Sequence, residues 1–397
     1  MSKPRLLIIT TEYHHPLRFR LHSFIPYFNK AFSVRVVDVA SPFFDWNPEE
    51  SPVNFMITKV LAQLPWSLWD FKTIDDIELL TLRSLMSGAI SKLFSYPLVR
   101  HVVHKIQSSD IVLATPYTAC MMALFSKTET PIVYEDVDRF YLFYKNPLKR
   151  FLVRYLEEYC ISHAAYVITA SPELQDDCIE LRGENVSFIP NGVDFSFFRN
   201  AIERCPEDRR NRYVLIYVGT VEPWSGIDIA LKALAEAICE EPRLKLVIVG
   251  EGSVGYVNYL KRLAKKLGIL SNVSFLGKKP YTEIPTLLLR AGIGIATFPT
   301  SEIMKKAFPY KILEYGAAGL PILMTNVTYL AKLVKENEAG VVVEKLNASD
   351  IAAGILGLIH NRAKWHQMAL NAMTLMRRYD VKRLATEEIK ILLELIR

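Results

Sequence analysis

At 397 residues, half of them hydrophobic and 23% charged, the chain is suited to dense packing, is not disordered, and is long enough for two cores. A net charge of +6 favours anionic partners such as phosphates or acidic lipids, yet the most basic stretch, Lys261, Arg262, Lys265 and Lys266, has the spacing of a solvated helix face, so no nucleic-acid partner is expected. The five cysteines (Cys120, Cys160, Cys178, Cys205, Cys239) are odd in number and lack CxxC spacing, which argues against a disulfide framework or a zinc site and points to a reducing, cytoplasmic setting.

In chain order, short β-rich runs alternate with amphipathic helices, which implies right-handed crossovers and parallel sheets. Strands are predicted at 5–10, 34–39, 111–114, 132–134, 166–169 and 186–189, and their continuous apolar character means that both sheet faces are covered. The first strand is too short an apolar run for a signal peptide, and no segment has the roughly 18 uninterrupted apolar residues of a membrane span. Behind it the loop carrying His14, His15, Arg18 and Arg20 is either a phosphate contact or plain solvated chain. The stretch 53–71, with Trp66 and Trp69 and few charges, is read as core packing, with a peripheral membrane contact as the alternative.

A polar stretch at 200–211 is the predicted linker between domains 1–200 and 201–378. Beyond it, strands are expected at 213–218, 244–249, 273–276, 293–298, 321–324 and 341–343. Helix starts are expected at Ser225, at Thr282 with Pro285, and at Ser349. The helix at 379–397 has no strand of its own to pack with and is expected to cross back to the first domain. Ligands of such doubly wound sheets bind beyond the carboxyl ends of strands, so function is sought in the residues that follow them.

Three motifs sit there. Gly250-Glu251-Gly252-Ser253-Val254-Gly255 is a full GxGxxG between a strand and a helix. The acid that should follow about 20 positions on, at the end of the next strand, is missing: that strand runs into Gly277-Lys278-Lys279. A nicotinamide cofactor is therefore not expected, and Gly250 and Gly252 are read as a turn near a ligand. Asp136-Val137-Asp138, after Glu135, has the form of a metal-and-diphosphate DxD. A single metal-dependent domain would, however, leave the second sheet unexplained.

The most informative run is Phe308-Pro309-Tyr310-Lys311-Ile312-Leu313-Glu314-Tyr315-Gly316-Ala317-Ala318-Gly319-Leu320-Pro321. A proline-opened helix directly after a strand and a polar loop offers free amides and a positive dipole end, a ready diphosphate site. Lys311 adds a charge on the first turn, Glu314 one turn further can accept two ribose hydroxyl hydrogen bonds, and Gly319 ends the helix. Pro309, Tyr310 and Ile312 share that mouth.

This run resembles the nucleotide-sugar signature of retaining glycosyltransferase family 4, in its Pro-x-Lys-x-x-Glu-Tyr subset. Ser171-Pro172-Glu173-Leu174, Ile189-Pro190-Asn191-Gly192-Val193-Asp194, Tyr217-Val218-Gly219-Thr220 through Pro223-Trp224-Ser225-Gly226-Ile227-Asp228, and Val249-Gly250-Glu251-Gly252 agree in order. The resemblance implies two Rossmann-like domains facing a central cleft (GT-B). It also implies a nucleotide diphosphate sugar as co-substrate held by the second domain, retention at the anomeric carbon, and neither cofactor nor obligate metal. It puts Glu314 on the ribose and Gly219 and Gly226 beneath the phosphates. Their places after strands, towards that cleft, make Asp136, Asp138 and Glu135 catalytic candidates with Lys311 and put His14, His15 and Arg18 on the acceptor side, the acceptor expected being a glycan or lipid-linked hydroxyl.

The departures are specific. The first motif glutamate is replaced by Lys306, with Glu302 displaced; the usual Arg after the first glycine is Thr220; the usual Lys before the second is Ser225. Lys311, with Lys305 or Lys306, is expected to take over the diphosphate. Two alternatives stay open, a GT-B scaffold that binds nucleotide without turnover and a nucleotide-sugar epimerase.

Overall fold

The computed structural model describes residues 3–10, 20–38, 69–74, 77–82, 105–204 and 211–397. His14, His15, Arg18 and Trp66 lie outside them. The chain divides into two units, Met1–Pro190 with Lys382–Arg397, and Asn191–Val381. The division thus falls before the expected 200/201 break. Part of the predicted linker is helix, since Phe195–Arg204 forms one continuous element.

The first unit is built on an eight-stranded sheet of β1 (Arg5–Thr10), β2 (Ser33–Asp38), β3 (Trp69–Ile74), β4 (Ile77–Leu82), β5 (Ile111–Thr115), β6 (Ile132–Asp136), β7 (Tyr166–Thr169) and β8 (Val186–Phe188). Its order is β3-β4-β2-β1-β5-β6-β7-β8, parallel except for the antiparallel β3–β4 pair. That edge hairpin is absent from the sequence expectations. The central strand β1 is paired on both sides, Ile8 standing opposite Val36 and Leu113, and Leu6 to Ile9 are wholly buried, as a covered parallel strand requires. Helix Pro147–His163 starts where Asn146 accepts the Lys149 amide and Pro147 fills the first turn. Helix Pro172–Arg182 starts the same way on Ser171 and ends at Gly183, φ +85°.

The second unit holds β9 (Val214–Val218), β10 (Lys245–Val249), β11 (Val273–Gly277), β12 (Ile293–Ala296), β13 (Ile322–Thr325) and β14 (Gly340–Val343), all parallel, in the order β11-β10-β9-β12-β13-β14. The sequence of strands reverses direction between β9 and β12, the switch point at which doubly wound sheets bind ligands. Three helix starts differ from expectation. Gly226, not Ser225, precedes helix Ile227–Ile238. A 3-10 turn, Tyr281–Glu283, leads into helix Ile284–Arg290. Asn347, not Ser349, caps helix Ala348–His360 by accepting the Asp350 amide at 2.7 Å. Among the described residues no helix is long and apolar enough to cross a membrane.

Candidate functional site

The β9–β12 ladder is short. It pairs only Leu215 with Ile293 and Ile216 with Gly294, after which the strands part. Tyr315, fully buried on helix Tyr310–Ala317, fills the gap: its hydroxyl accepts the Val218 amide at 3.0 Å and donates to the Ile295 carbonyl at 3.3 Å. Gly294 makes room for the ring, because a β-carbon there would stand 2.4 Å from it. The Tyr of the Glu-Tyr pair is thus the wedge that holds the switch point open.

Around that opening the loops are pressed backbone to backbone. A β-carbon at Gly250 would meet the Gly219 carbonyl at 1.8 Å, and one at Gly226 the Thr297 carbonyl at 1.7 Å. Gly252 stands equally close to the Val221 carbonyl. The first two glycines of the GxGxxG therefore seat the β9 loop, while Gly255 faces open space. Thr297 Oγ1 donates to the Gly226 carbonyl at 2.7 Å, and Tyr217 donates its hydroxyl to the Thr220 carbonyl at 2.7 Å. Thr220 is half-buried and Ser225 wholly buried.

Lys311 comes up beneath this loop. Its Nζ lies 5.0 Å from the Tyr217 ring and 4.9 Å from the Phe298 ring, both close enough for cation–π attraction. Burial lowers its pKa to about 8, against the pull of Glu314, which favours the charged form. Glu314 itself is 7% exposed. At the mouth of the same helix Pro309 is the N-cap and lends no side-chain hydrogen bond, and the approach is fixed by Asn191 Nδ2, which donates to the Phe308 carbonyl at 2.8 Å. Ile312 is fully buried, so its side chain serves the core.

The helix behind the GxGxxG is arranged differently. Glu222 accepts the Ser253 amide at 2.6 Å and the Ser253 hydroxyl at 3.0 Å, so helix Val254–Lys266 already has a carboxylate at its amino end. The two basic candidates beside the motif also fare differently. The run 302–306, read as a polar loop, is a helix capped by Ser301. On it Lys305 pairs with Glu302 at 2.7 Å in the open, while Lys306 is half-buried.

In the first unit the two acids that end β6 belong to two separate clusters. Glu135 is buried against Arg20 at 2.5 Å; Arg20 also binds Glu388 at 2.5 Å and donates to the carbonyls of Ile189 and Pro190 at 2.8 and 2.5 Å. Arg20, read with the solvated loop, is in fact 4% exposed and fully engaged. Glu388 belongs to helix Val381–Glu394, so the C-terminal helix is fastened to the first unit by a buried charge cluster. Asp136 pairs with Arg139, which reaches Asp177 at 3.2 Å, and accepts from Cys178 Sγ at 3.3 Å. Asp138 takes part in neither cluster; it is half-buried, and burial together with the Asp136 charge pushes its pKa up to about 7.

Sequence reasoning missed Tyr315, Asn191, Glu222 and the aromatic walls Tyr217 and Phe298. Tyr315 and Asn191 stand inside runs it singled out, but their bonds span 97 and 117 residues and have no local signal.

Residues 199–374 match the family model for glycosyl transferases group 1. Glycogen synthase of Mycobacterium tuberculosis is 28% identical over 214 residues, covering 53% of this chain and 49% of the relative. D-inositol 3-phosphate glycosyltransferase 2 of Catenulispora acidiphila is 28% identical over 217 residues, covering 51% and 50%. The chain spans about half the length of these curated relatives. Among solved structures, Anabaena HepE in complex with UDP-glucose superposes with a TM-score of 0.72 at 20% identity, over 98% of this chain and 99% of that one. The fold is GT-B, and the segment 199–374, which contains the switch-point site, is similar to the glycosyl transferases group 1 family.

Proposed function

We propose that the protein transfers a sugar from a nucleotide diphosphate donor to a hydroxyl acceptor with retention and without an obligate metal. The observation that carries this reading is the meeting of three groups at one switch point: the amino end of helix Tyr310–Ala317, the Lys311 ammonium under the Gly219 loop, and Glu314 one turn inside. The diphosphate takes up charge as the anomeric carbon–oxygen bond breaks. A preorganised ammonium and helix amides stabilise that charge without reorganising. Lys311 thereby replaces the Arg and Lys whose positions hold Thr220 and Ser225, and Glu314 binds the ribose.

On the acceptor side we assign Asp138, because Glu135 and Asp136 are already committed to Arg20 and Arg139. A carboxyl with a pKa of about 7 can exchange a proton with a hydroxyl acceptor near neutral pH. The acceptor class proposed is a glycan or a lipid-linked alcohol.

HepE is named as a UDP-glucose complex, so uridine diphosphate and its glucose ester are the first ligands to try. At about a hundred times its dissociation constant a specific ligand adds about 2.7 kcal/mol to stability. A melting shift of that order in the wild type, lost in Lys311→Ala and Glu314→Ala, is expected. Should no nucleotide diphosphate or its sugar ester shift the transition, the reading fails. Binding with neither transfer nor slow donor hydrolysis would make the protein a scaffold instead.

A further inference from the structure

Helix Pro147–His163 has two apolar sides. Val153, Leu156 and Cys160 are buried in the core of the first unit. Leu148, Phe151 and Tyr155 recur at i, i+3 and i+7, so they share another side, and they are 75%, 69% and 57% exposed. Phe143, on the 3-10 turn Phe140–Phe143 just before the helix, is 44% exposed as well. Exposed large apolar groups gathered on one element mark a contact surface.

The charges around the stripe are mainly basic, Glu158, one turn beyond Tyr155 and paired with Arg154, being the exception. Lys145, Lys149, Arg150 and Arg154 are exposed, and no acid occurs between Asp138 and Glu157. Arg154 shares Glu158 at 2.7 Å, while Lys145, Lys149 and Arg150 form no ion pair among the described residues. Long basic side chains flanking Phe, Leu and Tyr on one helix are built for an interface in which rings enter acyl chains and cations meet lipid phosphates. A protein partner is the alternative that the test below separates.

We propose that the first unit docks on anionic membrane surfaces through Phe143, Leu148, Phe151 and Tyr155, with Lys145, Lys149, Arg150 and Arg154 against the headgroups. This places a membrane contact on a different element from the 53–71 stretch, and it stands whether or not the donor site works as proposed.

The test is co-sedimentation of the full chain with vesicles of phosphatidylcholine alone or mixed with phosphatidylglycerol, at low and high salt. The wild type should bind the mixed vesicles, weakly at high salt, and not the neutral ones. The double variant Leu148→Ser, Phe151→Ser should bind at least about tenfold more weakly. Lys149→Ala with Arg150→Ala should lose about fivefold per cation. All four positions are exposed, so circular dichroism should be unchanged. Absence of wild-type binding, or equal binding by the serine variant, overturns the proposal. So does light scattering that shows a dimer which the serine variant dissociates, if vesicles are not bound.

Discussion

The Lys311 ammonium lies 3.1 Å from the point where a β-carbon at Gly219 would stand, and its Cε 2.8 Å from it. Gly219 also has φ +135°, a conformation that costs other residues about 1–3 kcal/mol. Gly219→Ala should therefore both strain the loop and displace the lysine. Nucleotide diphosphate binding, measured by calorimetry, should weaken at least about tenfold, and Lys311→Ala should do the same. Because both changes remove one ammonium from one place, the double variant should be little worse than either single one.

Donor binding should depend on pH through Lys311. A diphosphate holds the lysine protonated, whereas in the free protein its pKa is lowered to about 8. Affinity should be flat below about 8 and fall above it, by up to tenfold per pH unit. In the ligand-free protein the sign is opposite. The folded pKa lies below the ordinary 10.5, so the unfolded chain binds more protons between about 8 and 10.5, and stability rises with pH across that window. Lys311→Met should flatten both profiles in calorimetric titrations and melting curves.

Tyr315→Phe should cost about 1–3 kcal/mol, since it strips the Val218 amide of its partner in a buried place while keeping the ring that Gly294 accommodates. Denaturant midpoints report this directly. Nucleotide affinity should fall with it if the β9–β12 opening is what seats the loop at Gly219.

The cluster of Arg20, Glu135 and Glu388 has one guanidinium for two carboxylates, and burial raises Glu388 to about 8 from an ordinary 4.5, with Glu135 adding to the rise and Arg20 opposing it. The folded state keeps a proton that the unfolded chain releases. The resulting stabilisation is complete below about 4.5 and is lost as pH rises towards about 8. Glu388→Gln cannot ionise, so its melting temperature should decline less over that range than the wild type's.

The parts of the fold that rest on local patterns were legible. Four consecutive buried aliphatics mark β1, and the run from Pro309 to Gly319 announces both its helix and its end. Failures came where the decisive partner is distant or the element small. The β3–β4 hairpin was lost in the apolar neighbourhood of 53–71, and the helix Glu302–Lys306 has one short turn of pattern behind its Ser301 cap. Among the candidate residues, types were readable but engagements were not: Arg20, Glu135 and Asp136 look available in the sequence until β6 and the C-terminal helix bring counter-ions to them.

At the amino end of helix Val254–Lys266 the chain has stoppered a helix mouth with its own acid. Glu222 occupies, in front of Val254–Lys266, the place a foreign phosphate would want. A single side chain on the loop after β9 thus closes this amino end to an outside anion. Evolution or an engineer could reassign guest and host at this sheet by moving one carboxylate, leaving every strand where it is.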